Sequence, residues 1–182
     1  MKFFRLLQIV MLCIVLTGCD FSCSVGGAKK NKKAKVANNN PALKGAIIKN
    51  GIELEVTGVK IKSAYLVDKN EKPLTENMVK TGEYIYLILE IDSGWVQEND
   101  KTFLGASEKI TTAKGNVIVE ANDIFKDYDK KGISPVDSKY ISLSAVITRT
   151  NKAIDDFIVY FRVWDKRGSG EIKGQYEFNI IK

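Results

Sequence analysis

The chemically reactive side chains of this chain are few, and the thiols all lie near its amino end. The sequence has no histidine, which excludes Ser/His/Asp and Cys/His nucleophilic sites and zinc sites built on imidazole. The three cysteines are Cys13, Cys19 and Cys23. Cys19 differs from the others because it directly follows the small residues Thr17 and Gly18 at the end of an apolar run. An accessible thiol at such a place can form a thioether, whereas a buried thiol could not be reached.

Carboxylates are the remaining groups with metal-binding chemistry. Asp123, Asp127 and Asp129 form an oxygen-rich stretch of the kind that can hold calcium. The spacing of an EF-hand loop fails, because Lys131 stands in place of an oxygen ligand and Ser138 in place of the closing glutamate. We therefore predict a solvated acidic loop, with no metal ion and no other cofactor.

A second group of carboxylates lies beside a tryptophan. Glu98 and Asp100 could in principle serve as acid and base next to a sugar-stacking Trp95. Such a pairing is more often a charged loop around a half-buried aromatic residue, and that is our interpretation. Neither a P-loop nor a G-x-G-x-x-G motif occurs, so phosphate-binding glycine loops are missing as well. We predict no catalytic residue and no enzyme.

The amino-terminal segment has the three parts of a secretory signal. Lys2 and Arg5 are its positive part, residues 6–16 are predominantly apolar, and Thr17 and Gly18 are small residues before the cysteine. At about eleven residues, the apolar run is too short to cross a hydrocarbon core that needs roughly 20. We therefore expect a cleaved signal peptide.

The stretch Leu16-Thr17-Gly18-Cys19 resembles the lipobox of bacterial lipoproteins, in which a leucine three places before the cysteine and a glycine just before it guide acylation and cleavage. The resemblance implies that Cys19 becomes the first mature residue and carries a diacylglycerol thioether. Two or more chains anchor a protein stably, at about 0.8 kcal/mol per buried methylene. We expect lipid anchorage to the bacterial cell membrane or outer membrane, with the domain outside the cytoplasm. An ordinary signal peptide with an incidental cysteine is the alternative.

The positive charge of the chain is concentrated in its first quarter. The chain has 28 basic and 22 acidic residues, which gives a formal charge of +6. Eight of the basic residues and one of the acidic residues precede Ala46, so 20 basic and 21 acidic residues lie from Ala46 onward. The basic segment 19–45 has almost no apolar content, and we predict a disordered linker there. Because the folded part is nearly neutral, no nucleic-acid partner is expected. Cys23 would be the one free thiol of the mature chain.

From Ala46 onward the apolar residues recur at every second position, which is typical of β-strands. Residues 52–67 alternate with a predicted bulge at Gly58. The turn at 166–170 predicts a hairpin, and single helical turns are predicted at 75–80 and 121–128. The clearest alternating runs are 84–92, 141–147, 157–164 and 176–180.

These strands predict an all-β fold, an immunoglobulin-like antiparallel two-sheet sandwich, with a small β-barrel as the alternative. The domains are then a signal peptide at 1–18, an acylated start and linker at 19–45, and the sandwich at 46–182. The layout of strands and closing hairpin is similar to that of immunoglobulin-like modules in bacterial lipoproteins. The disulfide between sheets in antibody domains is absent.

Aromatic residues lie opposite the most apolar faces of two predicted strands. Tyr84 and Tyr86 belong to the first strand, and Tyr160 and Trp164 to the second. If these strands are neighbours, the four residues form one exposed patch, and Tyr and Trp are enriched at binding hot spots. Coverage of these residues by a loop or by the second layer is the alternative.

The expected function is that of a membrane-anchored cell-envelope lipoprotein with a non-catalytic sandwich. The four aromatic residues would contact a protein or another envelope component. The alternative is a lipid-anchored hydrolase, or a cation-dependent carbohydrate-binding module, that uses the acidic loops. A pocket joining Asp92, Glu98 and Asp123 would favour this alternative.

Overall fold

The computed structural model describes residues 40–150 and 154–181, and these contain ten β-strands and three short 3-10 helices. The predicted signal peptide and Cys19 lie outside the described residues. Within the described residues no helix is both long and apolar enough to span a bilayer.

The helices are Pro41–Leu43, Lys126–Tyr128 and Asp137–Lys139. The strands are β1 (Ile47–Ile48), β2 (Glu53–Thr57), β3 (Lys60–Val67), β4 (Met78–Lys80), β5 (Tyr84–Ser93), β6 (Leu104–Thr112), β7 (Val117–Ala121), β8 (Tyr140–Val146), β9 (Ile154–Asp165) and β10 (Glu171–Ile181).

The strands form two sheets. The four-stranded sheet has the order β1-β3-β5-β8, and the six-stranded sheet has the order β2-β10-β9-β6-β7, with β4 pairing alongside β10. Pairing is antiparallel except for the short β1–β3 and β4–β10 ladders. The fold is therefore all-β, an immunoglobulin-like two-sheet sandwich as predicted. The alternative of a small closed barrel is wrong.

The core lies between the two sheets and follows the alternation of the sequence. Along β5, Ile85, Leu87 and Leu89 are fully buried, and the intervening Tyr84 and Tyr86 are half-buried. Strands β8, β9 and β10 contribute buried apolar residues at alternating positions in the same way. The buried hydrophobic residues of β9 and β10 are Phe157, Val159, Phe161, Val163, Ile172, Tyr176, Phe178 and Ile180.

The prediction of one bulged strand over 52–67 is wrong. Strand β2 belongs to the six-stranded sheet and β3 to the four-stranded sheet, so the chain crosses between the layers at the predicted bulge. Gly58 adopts a φ of 69° at this crossing, and a Cβ atom there would lie 3.2 Å from the Cα of Gly170. Alternation continues on both sides because each segment contributes its apolar face to the same core.

Two other local predictions need correction. Residues 75–80 were expected to form a helical turn, but β4 occupies Met78–Lys80 and pairs with the last residues of β10. The predicted linker 19–45 includes residues that the structure places in the fold, because Leu43 is buried and Asn40 caps the helix Pro41–Leu43. The second predicted helical turn corresponds to the 3-10 helix Lys126–Tyr128. None of the alternating runs identified in the sequence corresponds to strand β6, which lies between β9 and β7 in the six-stranded sheet.

The hairpin predicted at 166–170 is confirmed. Strands β9 and β10 pair over their whole length, with Trp164 opposite Glu171 next to the turn. The buried carboxylate of Asp165 holds the turn by accepting hydrogen bonds from the backbone N–H groups of Arg167 at 2.8 Å and Gly168 at 3.0 Å. Its other oxygen accepts from the N–H of Val96 at 2.6 Å, which ties the hairpin to the loop after β5.

Candidate functional site

The predicted lipid attachment site lies outside the described residues. Cys19 and Cys23 both belong to the segment that the structure does not describe. Lipidation of Cys19 therefore stays a prediction.

The four predicted aromatic contacts do not lie on one surface. Tyr84 and Tyr86 belong to β5 in the four-stranded sheet, and Tyr160 and Trp164 belong to β9 in the six-stranded sheet. All four alternate with core residues of their strands, so each pair lies on the outer face of its own sheet. The condition for a single patch, that the two strands are neighbours, is not met, because β5 and β9 belong to different sheets.

On the outer face of the four-stranded sheet, two further tyrosines lie near Tyr84 and Tyr86. Strand β5 lies between β3 and β8, which contribute Tyr65 and Tyr140. We call Tyr65, Tyr84, Tyr86 and Tyr140 the tyrosine face. All four side chains are half-buried, and Ile88, in the centre of this face, is only 2% exposed. The sequence signal was available for Tyr140, which alternates with the buried Ile141 and Leu143. Alternation gave no such signal for Tyr65, because the register of β3 shifts and the buried Ile61 and Val67 have the same parity as Tyr65.

Contacts within the tyrosine face hold its rings in place. The Tyr84 and Tyr86 rings stack with their centroids 5.9 Å apart and their planes at 21°. The hydroxyl of Tyr65 donates a hydrogen bond of 3.3 Å to a carboxylate oxygen of Glu90. Ser144 and Ser142 lie in register with Tyr86 and Ile88 along the neighbouring strand. The face therefore combines constrained aromatic rings with small hydroxyl groups.

Three hydroxyl groups of this face, those of Tyr65, Tyr86 and Tyr140, remain protonated at physiological pH. Burial, followed by the nearby Tyr140 and Glu90, raises the pKa of Tyr65 well above its usual range. Burial also raises the pKa of Tyr86 and of Tyr140. Although burial alone would raise the pKa of Glu90, its hydrogen bonds with Lys62, Ser63 and Tyr65 together hold that pKa below the usual value. These three tyrosines therefore present neutral hydroxyl donors beside one ionised carboxylate, that of Glu90.

The outer face of the six-stranded sheet has a different character. Tyr160 is 40% exposed, and the guanidinium of Arg162 lies 4.6 Å from the ring centroid of Trp164. The indole covers Gly105 so closely that a Cβ atom there would lie 2.2 Å from its ring carbons. A depression of about 350 Å³ lies beside these residues. Its lining includes Ser107, Lys109, Glu120, Tyr160, Arg162 and Lys173.

The acidic loop is held by a lysine. The ammonium of Lys166 donates to Asp123 at 2.6 Å and also to Asp129, and the other oxygen of Asp123 accepts from the backbone N–H of Phe125 at 3.1 Å. Among the described residues no three Asp, Glu, His or Cys side chains form a group that could hold a metal ion. The cationic partner occupies the oxygens that a calcium ion would need.

The other carboxylates considered for catalysis are also dispersed. Asp92 pairs with Lys60 at 2.9 Å, and Glu98 pairs with Arg167 at 3.3 Å. Neither they nor Asp123 line the depression on the six-stranded sheet. Trp95 is buried, and its indole N–H donates to the carbonyl of Ser138 at 3.1 Å, so this ring is packed into the fold and does not offer an open stacking surface.

One buried carboxyl was missed in the sequence. Glu108 on β6 points into the core, is 3% exposed, and has an oxygen without a hydrogen-bond partner within the described structure. Burial raises its pKa to about 8. The hydroxyl of the buried Tyr176 likewise has no partner within the described structure. The run Ser107-Glu108-Lys109 gave no signal, because its polar residues suggest a solvated segment.

The comparisons with known proteins give matches among solved structures alone. No family model matches this chain, and no curated protein matches it. Among solved structures, it is similar to the crystal structure of the C-terminal domain of Wzt, with a TM-score of 0.46 and 11% sequence identity. The match covers 78% of this chain and 84% of that chain.

Proposed function

We propose that this chain is a bacterial envelope lipoprotein, acylated at Cys19, whose sandwich is a non-catalytic module that binds a protein or another envelope component. The observation that carries the binding role is the tyrosine face. A sheet surface in contact with water usually carries Thr, Lys and Glu, whereas this face has four half-buried tyrosines, of which Tyr65 lies directly beside Ile88. The lipid anchor is supported by residues 16–19 of the sequence.

The composition of the tyrosine face suits recognition of a protein. Tyrosine offers a large, rigid and amphipathic contact area at a low cost in conformational entropy, and serine adds adaptable hydrogen bonds. The stacking of Tyr84 on Tyr86 and the hydrogen bond from Tyr65 to Glu90 restrict these rings before a partner arrives. Such restriction lowers the ordering cost of binding.

Labelling of the full chain with an alkyne analogue of palmitate, during growth in a bacterial host, tests the anchor. Wild type should carry the label and the Cys19→Ser variant should not, because the oxygen of serine does not replace sulfur in the thioether. The Cys23→Ser variant is the matched control and should keep the label. An unmodified thiol at Cys19, or an intact leader in mass spectrometry of the mature chain, contradicts the anchor.

Paired double variants of the full chain test the binding face. Tyr84→Ala with Tyr86→Ala should reduce a partner that is cross-linked and captured from the native envelope by about tenfold or more, the loss expected at a hot spot. Tyr160→Ala with Trp164→Ala is the matched control on the opposite sheet and should keep that partner. Circular dichroism checks that both variants fold. Capture that survives the first pair contradicts the tyrosine face.

A further inference from the structure

A second surface of the sandwich has the shape and chemistry of a ligand site. The depression on the outer face of the six-stranded sheet, here called the cleft, has a volume of about 350 Å³, within the range of small-molecule sites. Its lining combines Tyr160 with three basic side chains from three adjacent strands, and with neutral polar groups such as Ser107 and Asn122. The basic residues are Lys109, Arg162 and Lys173.

The basic side chains that line the cleft outnumber the exposed carboxylates that line it. Arg162 and Lys173 share one carboxylate, that of Glu171, each at 2.6 Å. Lys109 reaches Glu120 only at 3.9 Å, at the outer limit of an ion pair. The hydrogen bonds from Lys173 and Arg162 hold the pKa of Glu171 below its usual value, so that carboxylate is ionised. In the lining itself the three cations accompany one exposed carboxylate, that of Glu120, whereas Glu171 and Glu55, the register partner of Lys173, lie outside it. This balance within the lining favours an anionic ligand.

The position of Arg162 is fixed by its neighbours. Its guanidinium lies over the ring of Trp164, and that indole rests directly on Gly105, where a Cβ atom would not fit. The Nε and Nη2 atoms of Arg162 each lie 2.6 Å from a carboxylate oxygen of Glu171, so the remaining donors of the planar guanidinium are those that a ligand carboxylate would meet. Next to it, Tyr160 is 40% exposed and offers an apolar ring to the solvent.

We propose that the cleft binds a carboxylated saccharide of the uronic-acid class. The basic side chains would receive the carboxylate, the ring of Tyr160 would contact the aliphatic face of the sugar, and the neutral polar groups would bind hydroxyls. A simple inorganic anion would use only the cations and leave the aromatic ring without a role. The proposal concerns the sheet opposite the tyrosine face, so it does not depend on protein binding there.

Calorimetric titration of the full chain in detergent with digalacturonate tests this proposal. Wild type should bind digalacturonate, and the dimethyl ester of the same disaccharide should bind at least about fivefold more weakly, because the ester removes the charge. Lys109→Gln, Arg162→Gln and Tyr160→Ala should each weaken binding to a similar extent. Lys60→Gln is the matched control, since Lys60 also pairs with a carboxylate but lies on the other sheet.

Four results would overturn the proposal. The first is no heat of binding for digalacturonate with wild type at millimolar concentrations. The second is equal binding of the dimethyl ester. The third is an affinity for inorganic phosphate or for a diglutamate peptide that equals the affinity for digalacturonate. The fourth is that the Tyr160→Ala and Arg162→Gln variants, shown to be folded by thermal unfolding, bind digalacturonate as tightly as wild type. Loss of the protein partner on the opposite face would leave all these readouts unaffected.

Discussion

Glu108 is an exception to the apolar composition of the core. It points inward from β6, in register with Phe161 of β9, and one of its oxygens has no hydrogen-bond partner in the described part of the chain. Burial without a partner disfavours the charged form of a carboxyl, which is why its pKa rises to about 8. Glu108 is thus mostly protonated at neutral pH, close to the buried hydroxyl of Tyr176.

The raised pKa of Glu108 predicts a pH-dependent stability. The folded state holds this proton more tightly than the unfolded chain, where the pKa is about 4.5. Its favourable contribution is complete below pH 4.5 and is lost as the pH rises to about 8, at up to about 1.4 kcal/mol per pH unit. Glu108→Gln should remove this loss, so that thermal melts of the variant change less between pH 5 and about 8.

The exposed Glu120 on the neighbouring strand is the control for this experiment. Glu120→Gln should keep the pH dependence of the wild type, because its carboxylate lies in solvent beside Lys109. A wild-type melting temperature that is constant over the same pH window, or a Glu108→Gln variant with the same slope as the wild type, would contradict a buried protonated carboxyl.

The connections between strands decide which sheet each strand joins. The chain leaves β2 in one sheet and enters β3 in the other through the turn at Gly58. This turn needs a left-handed backbone and passes close to the β9–β10 turn. A side chain at Gly58 would therefore meet both backbone strain and the backbone of Gly170.

Substitution of two left-handed glycines separates these two effects. Gly51 has a φ of 64° and no atom within 4 Å of an added Cβ, whereas Gly58 has a φ of 69° and backbone neighbours at 3.2 Å. Gly51→Ala should cost about 1 kcal/mol of unfolding free energy from the backbone alone. Gly58→Ala should cost about 1 kcal/mol more, through crowding. Urea unfolding measures both values, and equal losses would show that the close approach at Gly58 has no energetic consequence.

At the scale of the whole molecule, the two sheets share one core. Every second residue of β5 in one sheet, and of β9 and β10 in the other, is buried in the core between the sheets. Each sheet therefore needs the other to exclude water from its apolar face. The hydrogen bond from Val96 to Asp165 adds a direct tie between the loop after β5 and the closing hairpin. The sandwich should therefore unfold as a unit.

Cooperative unfolding can be measured by comparing two probes. Far-ultraviolet circular dichroism reports the strands, and near-ultraviolet circular dichroism reports packed aromatic residues such as Trp95 and Tyr176. We expect both signals to change at the same urea concentration, with one transition each. Separate midpoints would mean that the two sheets do not form one cooperative core.

The sequence by itself determined which residues of a strand share a face, because side chains alternate along an extended chain whatever its neighbours are. This local rule predicted the buried rows of β5, β9 and β10 and the all-β class, and the turn residues at 166–170 predicted the hairpin after Asp165. It also placed Tyr84, Tyr86, Tyr160 and Trp164 away from the core. The lipid anchor at Cys19 rests on sequence alone.

Only the tertiary structure decided which strands are neighbours, because pairing depends on contacts between residues that are distant along the chain. It separated Tyr84 from Tyr160, added Tyr65 and Tyr140 to the first face, and gathered three basic side chains around the cleft. It also placed Glu108 in the core, on a strand whose polar residues hide its central position. Alternation fixes the face of a residue within its strand, whereas packing between strands fixes what that face meets.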